Sequence, residues 1–492
     1  MTYTPNGGSA PPGAGPPTMP AMPPQPGPPA AAPPAAPVAQ PAPAGPGGPD
    51  PTPPRRTAWA EGVDQLRAAA TTEPGRLRII GAALALLLVA FGSMTAWQMT
   101  ERSDAADNVL SSSQPLSADA ALIYRSLATA NTAASSGFLA GGQETAESRQ
   151  EYERGINTAA DRLINAAANS EPGSESAETI TRLNKRLPEY KGLIERARSN
   201  NRQGYPLGGA YLRYANAKMQ VMLKDAEDLY KMENQRLRSD YNAATPYPWI
   251  AIGAGVLAIG GLVWAQRRNY QRTNRVLNHG LVAATAASTV VLLWLVVGHS
   301  LARAGLNDSY DHGVRSLNVL NDARIASLKA RGNETLTLVS RGAETKKVDG
   351  EVVDAYDNDY KIQMKDLSAK LAAAEDLADD SAGESPVKGA TENMQVWQDR
   401  HKEARTADDS GDYQGALDRV IGSDDKKPTG QCFDNVDTDL EKALEHEQGE
   451  FEVAAEDGKG AMTGLPVGAA VLAVLGASGA VLGIGRRLSE YR

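Results

Sequence analysis

Residues 79–99 read IIGAALALLLVAFGSMTAWQM, a run without one charged side chain. An α-helix needs about 20 apolar residues to cross the ~30 Å hydrocarbon core of a bilayer, so this run predicts a transmembrane helix. Three more runs meet the same test: 247–265 (YPWIAIGAGVLAIGGLVWA), 276–297 (VLNHGLVAATAASTVVLLWLVV) and 464–484 (GLPVGAAVLAVLGASGAVLGI). Trp97, Trp249, Trp264 and Trp294 stand near their ends, where an indole buries its ring and wets its N–H. The first run opens behind a long polar leader, which speaks against a signal peptide.

The flanks orient the spans. Arg55, Arg56, Arg67, Arg76 and Arg78 precede the first, Arg267, Arg268, Arg272 and Arg275 lie between the second and third, and Arg486, Arg487 and Arg492 follow the fourth. Basic flanks stay in the cytoplasm. The chain is therefore expected in the cell membrane, multi-pass, with both termini cytoplasmic. A cytoplasmic loop at 266–275 and a tail at 485–492 complete the inner side. The long segments 100–246 and 298–463 face outward.

Those two segments carry helix periodicity. In the first, Leu116, Ala120, Ile123, Leu127, Ala130, Ala134 and Gly137 alternate in steps of four and three. Helices over 144–168 and 175–201 follow, the second with Pro188 inside it. A fourth carries Leu212, Ala215, Met219, Met222, Ala226 and Leu229 on one seam and runs close to Pro246. Four antiparallel helices make an up-down-up-down bundle. The second segment repeats the plan: a seam of Ile325, Leu328, Gly332, Thr335 and Val339, a helix over 352–379, a Gly/Ser/Pro break at 381–386, a helix containing 394–407, and a last one with Val436, Leu440, Ala443 and Leu444. Tyr190, Ala197, Arg198, Gly204 and Gly208 align with Trp397, Ala404, Arg405, Gly411 and Gly415 at one constant offset. The expected fold is all-α: four transmembrane helices with two tandemly duplicated extracellular helical bundles.

Residues 1–54 hold about two-thirds of the 31 prolines among Ala and Gly, the composition of a disordered, partly polyproline II tail. In the basic segment 55–78, Trp59, Val63, Leu66 and Ala70 recur at helical spacing and predict a short helix on the inner leaflet. The net charge of -9 argues against nucleic acid as a partner. The single cysteine, Cys432, excludes an intrachain disulfide.

No catalytic, cofactor or metal site is legible, and the ligand contacts are unknown. His279, His299, His312, His401 and His446 include no pair at metal-ligand spacing, and His446-Glu447 lacks the second histidine of a zinc-protease helix. Ser423 and Lys426 sit in a polar loop without a supporting motif, and the Gly476–Gly479 stretch lies inside a span. The Asn307 and Asn333 sequons read as coincidental. Gly479 and Gly483, the Ala469/Ala473/Ala477 stripe, Ala251 with Gly255, and Gly280 with Ala284 and Ser288 are close-approach faces for helix packing, a homodimer contact being the alternative use. Spans almost free of ionisable groups weaken a transporter reading.

The span–bundle–span duplication, the Pro-rich tail and the stretch RARSNNRQGYPLGGAYLRYA (196–215) together resemble the GlnX-type membrane proteins of actinobacteria over residues 76–492. That resemblance implies a non-enzymatic signalling adaptor in amino-acid sensing, for glutamate, aspartate or glutamine. An extracellular solute-binding lipoprotein would report to it, and it would signal to a cytosolic Ser/Thr kinase of the protein kinase G type. Two alternatives stand beside this one: a structural scaffold of the cell envelope, and a direct small-molecule receptor or transport accessory.

Overall fold

A computed structural model describes residues 71–141, 144–273, 278–422 and 426–489. The Pro-rich tail, the predicted juxtamembrane helix and Ser423 lie outside the described residues. Thirteen α-helices and one β-hairpin make up the described chain.

The first half runs α1 (Glu73–Asn108), α2 (Gln114–Leu139), α3 (Ala146–Asn169), α4 (Glu175–Arg202), α5 (Leu207–Ala244) and α6 (Trp249–Thr273). The second runs α7 (His279–Asp308), α8 (Arg315–Ser340), β1 (Thr345–Val348), β2 (Glu351–Asp354), α9 (Ala355–Leu377), α10 (Ser381–Asp409), α11 (Tyr413–Ile421), α12 (Thr429–Gly460) and α13 (Leu465–Ser489). Side-chain caps set the starts. Thr145, Ser174 and Asp354 each accept from the backbone N–H three residues on, filling one of the donors a helix N-terminus leaves open.

The four predicted spans lie in α1, α6, α7 and α13, and each is long and apolar enough to cross a membrane. Only 28–39% of each apolar window is buried, so most of these side chains turn outward, as lipid-facing residues must. Leu86, Leu257, Leu293 and Leu482 are all more than half exposed. α1 and α7 continue into α2 and α8 through single π-helical turns, Val109–Ser113 and Ser309–Val314. In the first, Pro115 has no N–H for the carbonyl four residues back, and the wider turn before it accommodates the ring. The polar helices thus stand on one side of the spans as a head. At the far ends, Arg272 pairs with Glu73, and Asn278 Nδ2 donates to the Gly483 carbonyl at 2.9 Å.

The small-residue faces are spent inside the chain. A Cβ on Gly280 would stand 2.2 Å from the Gly479 oxygen and 2.7 Å from Gly483 Cα, so α7 and α13 meet backbone to backbone. Gly92 approaches Ala473 in the same way, packing α1 on α13.

Buried residues of α2–α5 and of α8, α9, α10 and α12 form one continuous core. The two bundles are therefore joined side by side through α2 and α8. A second cluster fills the layer next to the spans, a third lies between the spans, and a fourth closes the far tip, where α11 packs on Leu139 and Leu338.

Three sequence expectations need correction. The helix expected over 352–379 starts only at Ala355, because residues 345–354 form a hairpin. Asp349 (φ 49°) and Gly350 (φ 90°) sit at its turn, the Asp-Gly pair that a tight two-residue hairpin requires. The break expected at 381–386 is instead the first turn and a half of α10. Asp380 caps it twice, to Ala382 N (2.9 Å) and Gly383 N (2.7 Å), and Pro386 lies early enough to cost little. Helix α11 was not anticipated at all.

Candidate functional site

The seam between the bundles carries polar chemistry. Thr132 Oγ1 of α2 donates to the Leu328 carbonyl of α8 at 2.9 Å, and a Cβ on Gly332 would lie 3.3 Å from that hydroxyl. Tyr230 OH donates to Asn318 Oδ1 at 2.6 Å further along. Beside these contacts opens a cleft of about 300 Å³, walled by both halves. Carboxamides dominate it: Asn131, Asn216, Gln220, Asn333 and Gln363. Asn131 Nδ2 and Gln220 Nε2 both donate to Asn216 Oδ1, at 3.0 and 3.3 Å. One cation and one anion join them. Asp359 is held by Lys346. Lys329 Nζ donates to the Tyr124 phenol at 2.6 Å and lies 5.1 Å from its ring centroid. Burial lowers the Lys329 pKa and raises that of Tyr124, so the lysine faces a neutral partner. Among the described residues it makes no ion pair. The ammonium is half-buried amid amides and offers the cleft one positive charge, with the carboxylates of Glu227, Asp366 and Asp322 also near enough to act on it.

Behind the cleft, the second bundle buries a charged hub. Glu334 of α8 is 1% exposed. It receives Arg331 Nη1 at 2.6 Å, Thr429 Oγ1 at 3.0 Å and Trp397 Nε1 at 3.2 Å, and it meets His401 Nδ1 at 2.9 Å. The other ring nitrogen of His401 meets Asp357 Oδ1 at 3.1 Å, and Tyr360 stacks on the ring at 3.7 Å. With a carboxylate on each nitrogen, the imidazole is an imidazolium. Burial alone would lower its pKa, but Asp357 and Glu334 raise it above the ordinary value. Burial works against both carboxylates too. The bonds from His401, with Arg331 for Glu334 and Lys361 for Asp357, nevertheless hold them below the usual range.

The first bundle has a milder counterpart. Tyr190 OH donates to Asn131 Oδ1 at 3.3 Å, as Trp397 does to Glu334. Arg198 pairs with Glu144 at 2.8 Å under a cation–π contact to Tyr152, while Arg405 lies 3.6 Å from Asp357. Tyr190 with Trp397 and Arg198 with Arg405 are the pairs the constant offset singled out, and they hold comparable places. Glu334, Asp357 and His401 were missed. In the sequence Glu334 stands as the middle of a sequon, and the one signal of its role is an acid centred in a strip of buried helix positions.

The other histidines lie away from this hub. His279 opens α7, His299 is buried in α7 against the Tyr247 ring (5.4 Å), His312 lies in the second π turn, and His446 is on α12.

No curated protein and no solved structure matches this chain. Residues 105–242 match the family model described as an actinobacterial sensor domain. That stretch runs from the end of α1 to the end of α5, and so takes in the first bundle and one wall of the cleft. The first half of the head is thus similar to a sensing module, and this similarity points to a sensing or signalling role.

Proposed function

We propose that this chain is a non-enzymatic transmembrane signalling adaptor, with the head outside the cell and both termini in the cytoplasm. It relays extracellular glutamate, aspartate or glutamine status from a solute-binding lipoprotein to a cytosolic Ser/Thr kinase of the protein kinase G type. We also propose that its halves arose by tandem duplication. One observation carries the signalling reading: each of the four spans runs on into a helix of a single shared core, and the cleft sits where the halves meet. α1 leads to α2 and α7 to α8 through π turns, while α5 leads to α6 and α12 to α13 across short joints. A partner that favours one arrangement of the seam shifts the population of helix positions, and stiff helices carry the shift across the bilayer. Sensor-domain similarity over one half of that seam supports the same role.

Crosslinking and pull-down from membranes, with and without added glutamate or aspartate, tests it. Recovery of a solute-binding lipoprotein and a kinase is expected; recovery of neither removes the adaptor reading. A second reading, direct reception of a small anion, is favoured by Lys329 in the carboxamide cleft. For that reading, purified full-length protein binds glutamate without a partner, and Lys329→Met weakens binding at least tenfold.

A further inference from the structure

Away from the seam, an open cleft of about 660 Å³ lies beside the second π turn. His312 and His446, separated by the whole of α8–α11 in sequence, both line it, together with the carboxylates of Asp308, Asp379, Glu445, Glu450 and Asp457; among the described residues no lysine or arginine does. At one end, His446 Nε2 stands 3.1 Å from Asp380 Oδ1 and 3.4 Å from Glu450 Oε1. All three donor atoms lie within 4.8 Å of one another, the one such group among the described residues. As a donor this nitrogen hydrogen-bonds Asp380; in the other tautomer it presents a lone pair, and a cation can then sit among the three atoms. A tetrahedral ion bound at ~2.0–2.1 Å sets its ligand atoms about 3.3 Å apart, close to the 3.1 and 3.4 Å from His446 Nε2 to its two acids, whose own oxygens lie within 4.8 Å of each other. The support for a ligand set is present as well: Asp380 Oδ1 is fixed by the N–H groups of Ala382 and Gly383 at the start of α10. On α12, His446 and Glu450 are four residues apart and share a face.

We propose that Asp380, His446 and Glu450 form a binding site for a divalent transition-metal ion of the zinc type, with a fourth position open to water. One nitrogen and two oxygens form a borderline donor set, which suits zinc better than calcium or magnesium. The ion would clamp α12 to the α9–α10 joint, alongside the π turn that links the third span to α8.

The test is equilibrium dialysis of the full chain in detergent micelles against zinc chloride, with calcium and magnesium chloride as separate arms. One saturable zinc per chain is expected, with calcium and magnesium at least a hundredfold weaker. His446→Gln and Glu450→Gln should each weaken zinc at least tenfold. Both side chains are partly exposed, so the metal-free variants should melt like the unaltered protein. Cobalt in place of zinc should give the intense visible absorption of a four-coordinate ion, lost in His446→Gln. Zinc uptake that is non-saturable, unchanged in both variants or matched by magnesium overturns the proposal, whatever the outcome for the signalling partners.

Discussion

Replacing Glu334 with glutamine removes one charge and almost no volume from the centre of the second bundle, so the response reads electrostatics and not packing. The lost carboxylate faces Arg331 at 2.6 Å and His401 at 2.9 Å, and it accepts from Trp397 and Thr429. The new amide nitrogen is a donor among donors; His401 is left with Asp357 as its one carboxylate, and Arg331 with the Val420 carbonyl and the Thr429 hydroxyl. Removing one partner of a buried ion pair costs roughly 3–5 kcal/mol. For a unit of 150–250 residues each kcal/mol moves the melting point by ~2–4 °C, so the head should melt about 6–20 °C lower. The pH profile should change as well. His401, with its pKa raised, contributes stability below its unfolded value of ~6.5 and loses it as pH rises through the folded value. Glu334 and Asp357, with pKa values lowered, contribute above ~4 and lose it as pH falls through theirs. The unaltered head is therefore most stable in the window between those limits. Taking away one of the two carboxylates that raise His401 starts the alkaline loss at lower pH. Circular-dichroism melts of the full chain in detergent, from mildly acid to mildly alkaline pH, measure both effects. A drop of less than about 2 °C with a superimposable pH profile would refute the reasoning.

Gly280→Val drives a side chain into the Gly479 carbonyl and should cost about 1–3 kcal/mol, read as lost resistance to detergent denaturation. Gly253→Val, with nothing within 4 Å of its Cβ, is the control expected to be silent. Asn131→Ala strands the Tyr190 hydroxyl, which is fully buried, and breaks the bond to Asn216, at a cost of about 1–3 kcal/mol in the same melts. Cys432 is buried, so reporter cysteines can be read against a quiet background. A thiol at the exposed Ser410 should label in intact cells with an impermeant maleimide, and one at Gln271 only after permeabilisation. The reverse pattern would invert the proposed orientation.

The parts legible in the sequence follow from local chemistry. An uncharged run of span length is a sufficient statement of a membrane helix, and the four-and-three spacing of Leu116 to Gly137 already names the buried face of α2. The departures are local too: the Asp349-Gly350 pair carries a turn signal that sets a hairpin ahead of α9, and the small residues at 381–386, which resemble a break, become a capped start through Asp380. The site is a different case. His446 lies 66 residues from Asp380, and Glu334 lies 67 from His401; neither spacing carries any helical or motif signal.

The sequence by itself determined the four helices long and apolar enough to span a membrane and the helical class of the head, because each depends on composition or period along one helix. Only the tertiary structure decided that the two bundles share one core, that Lys329 looks across a seam of carboxamides, and that a histidine without sequence neighbours meets two acids. Those facts depend on which helix faces lie side by side. Such pairing is set by packing across distant segments, where a single close contact such as Gly332 on Thr132 fixes the approach and leaves no periodic trace.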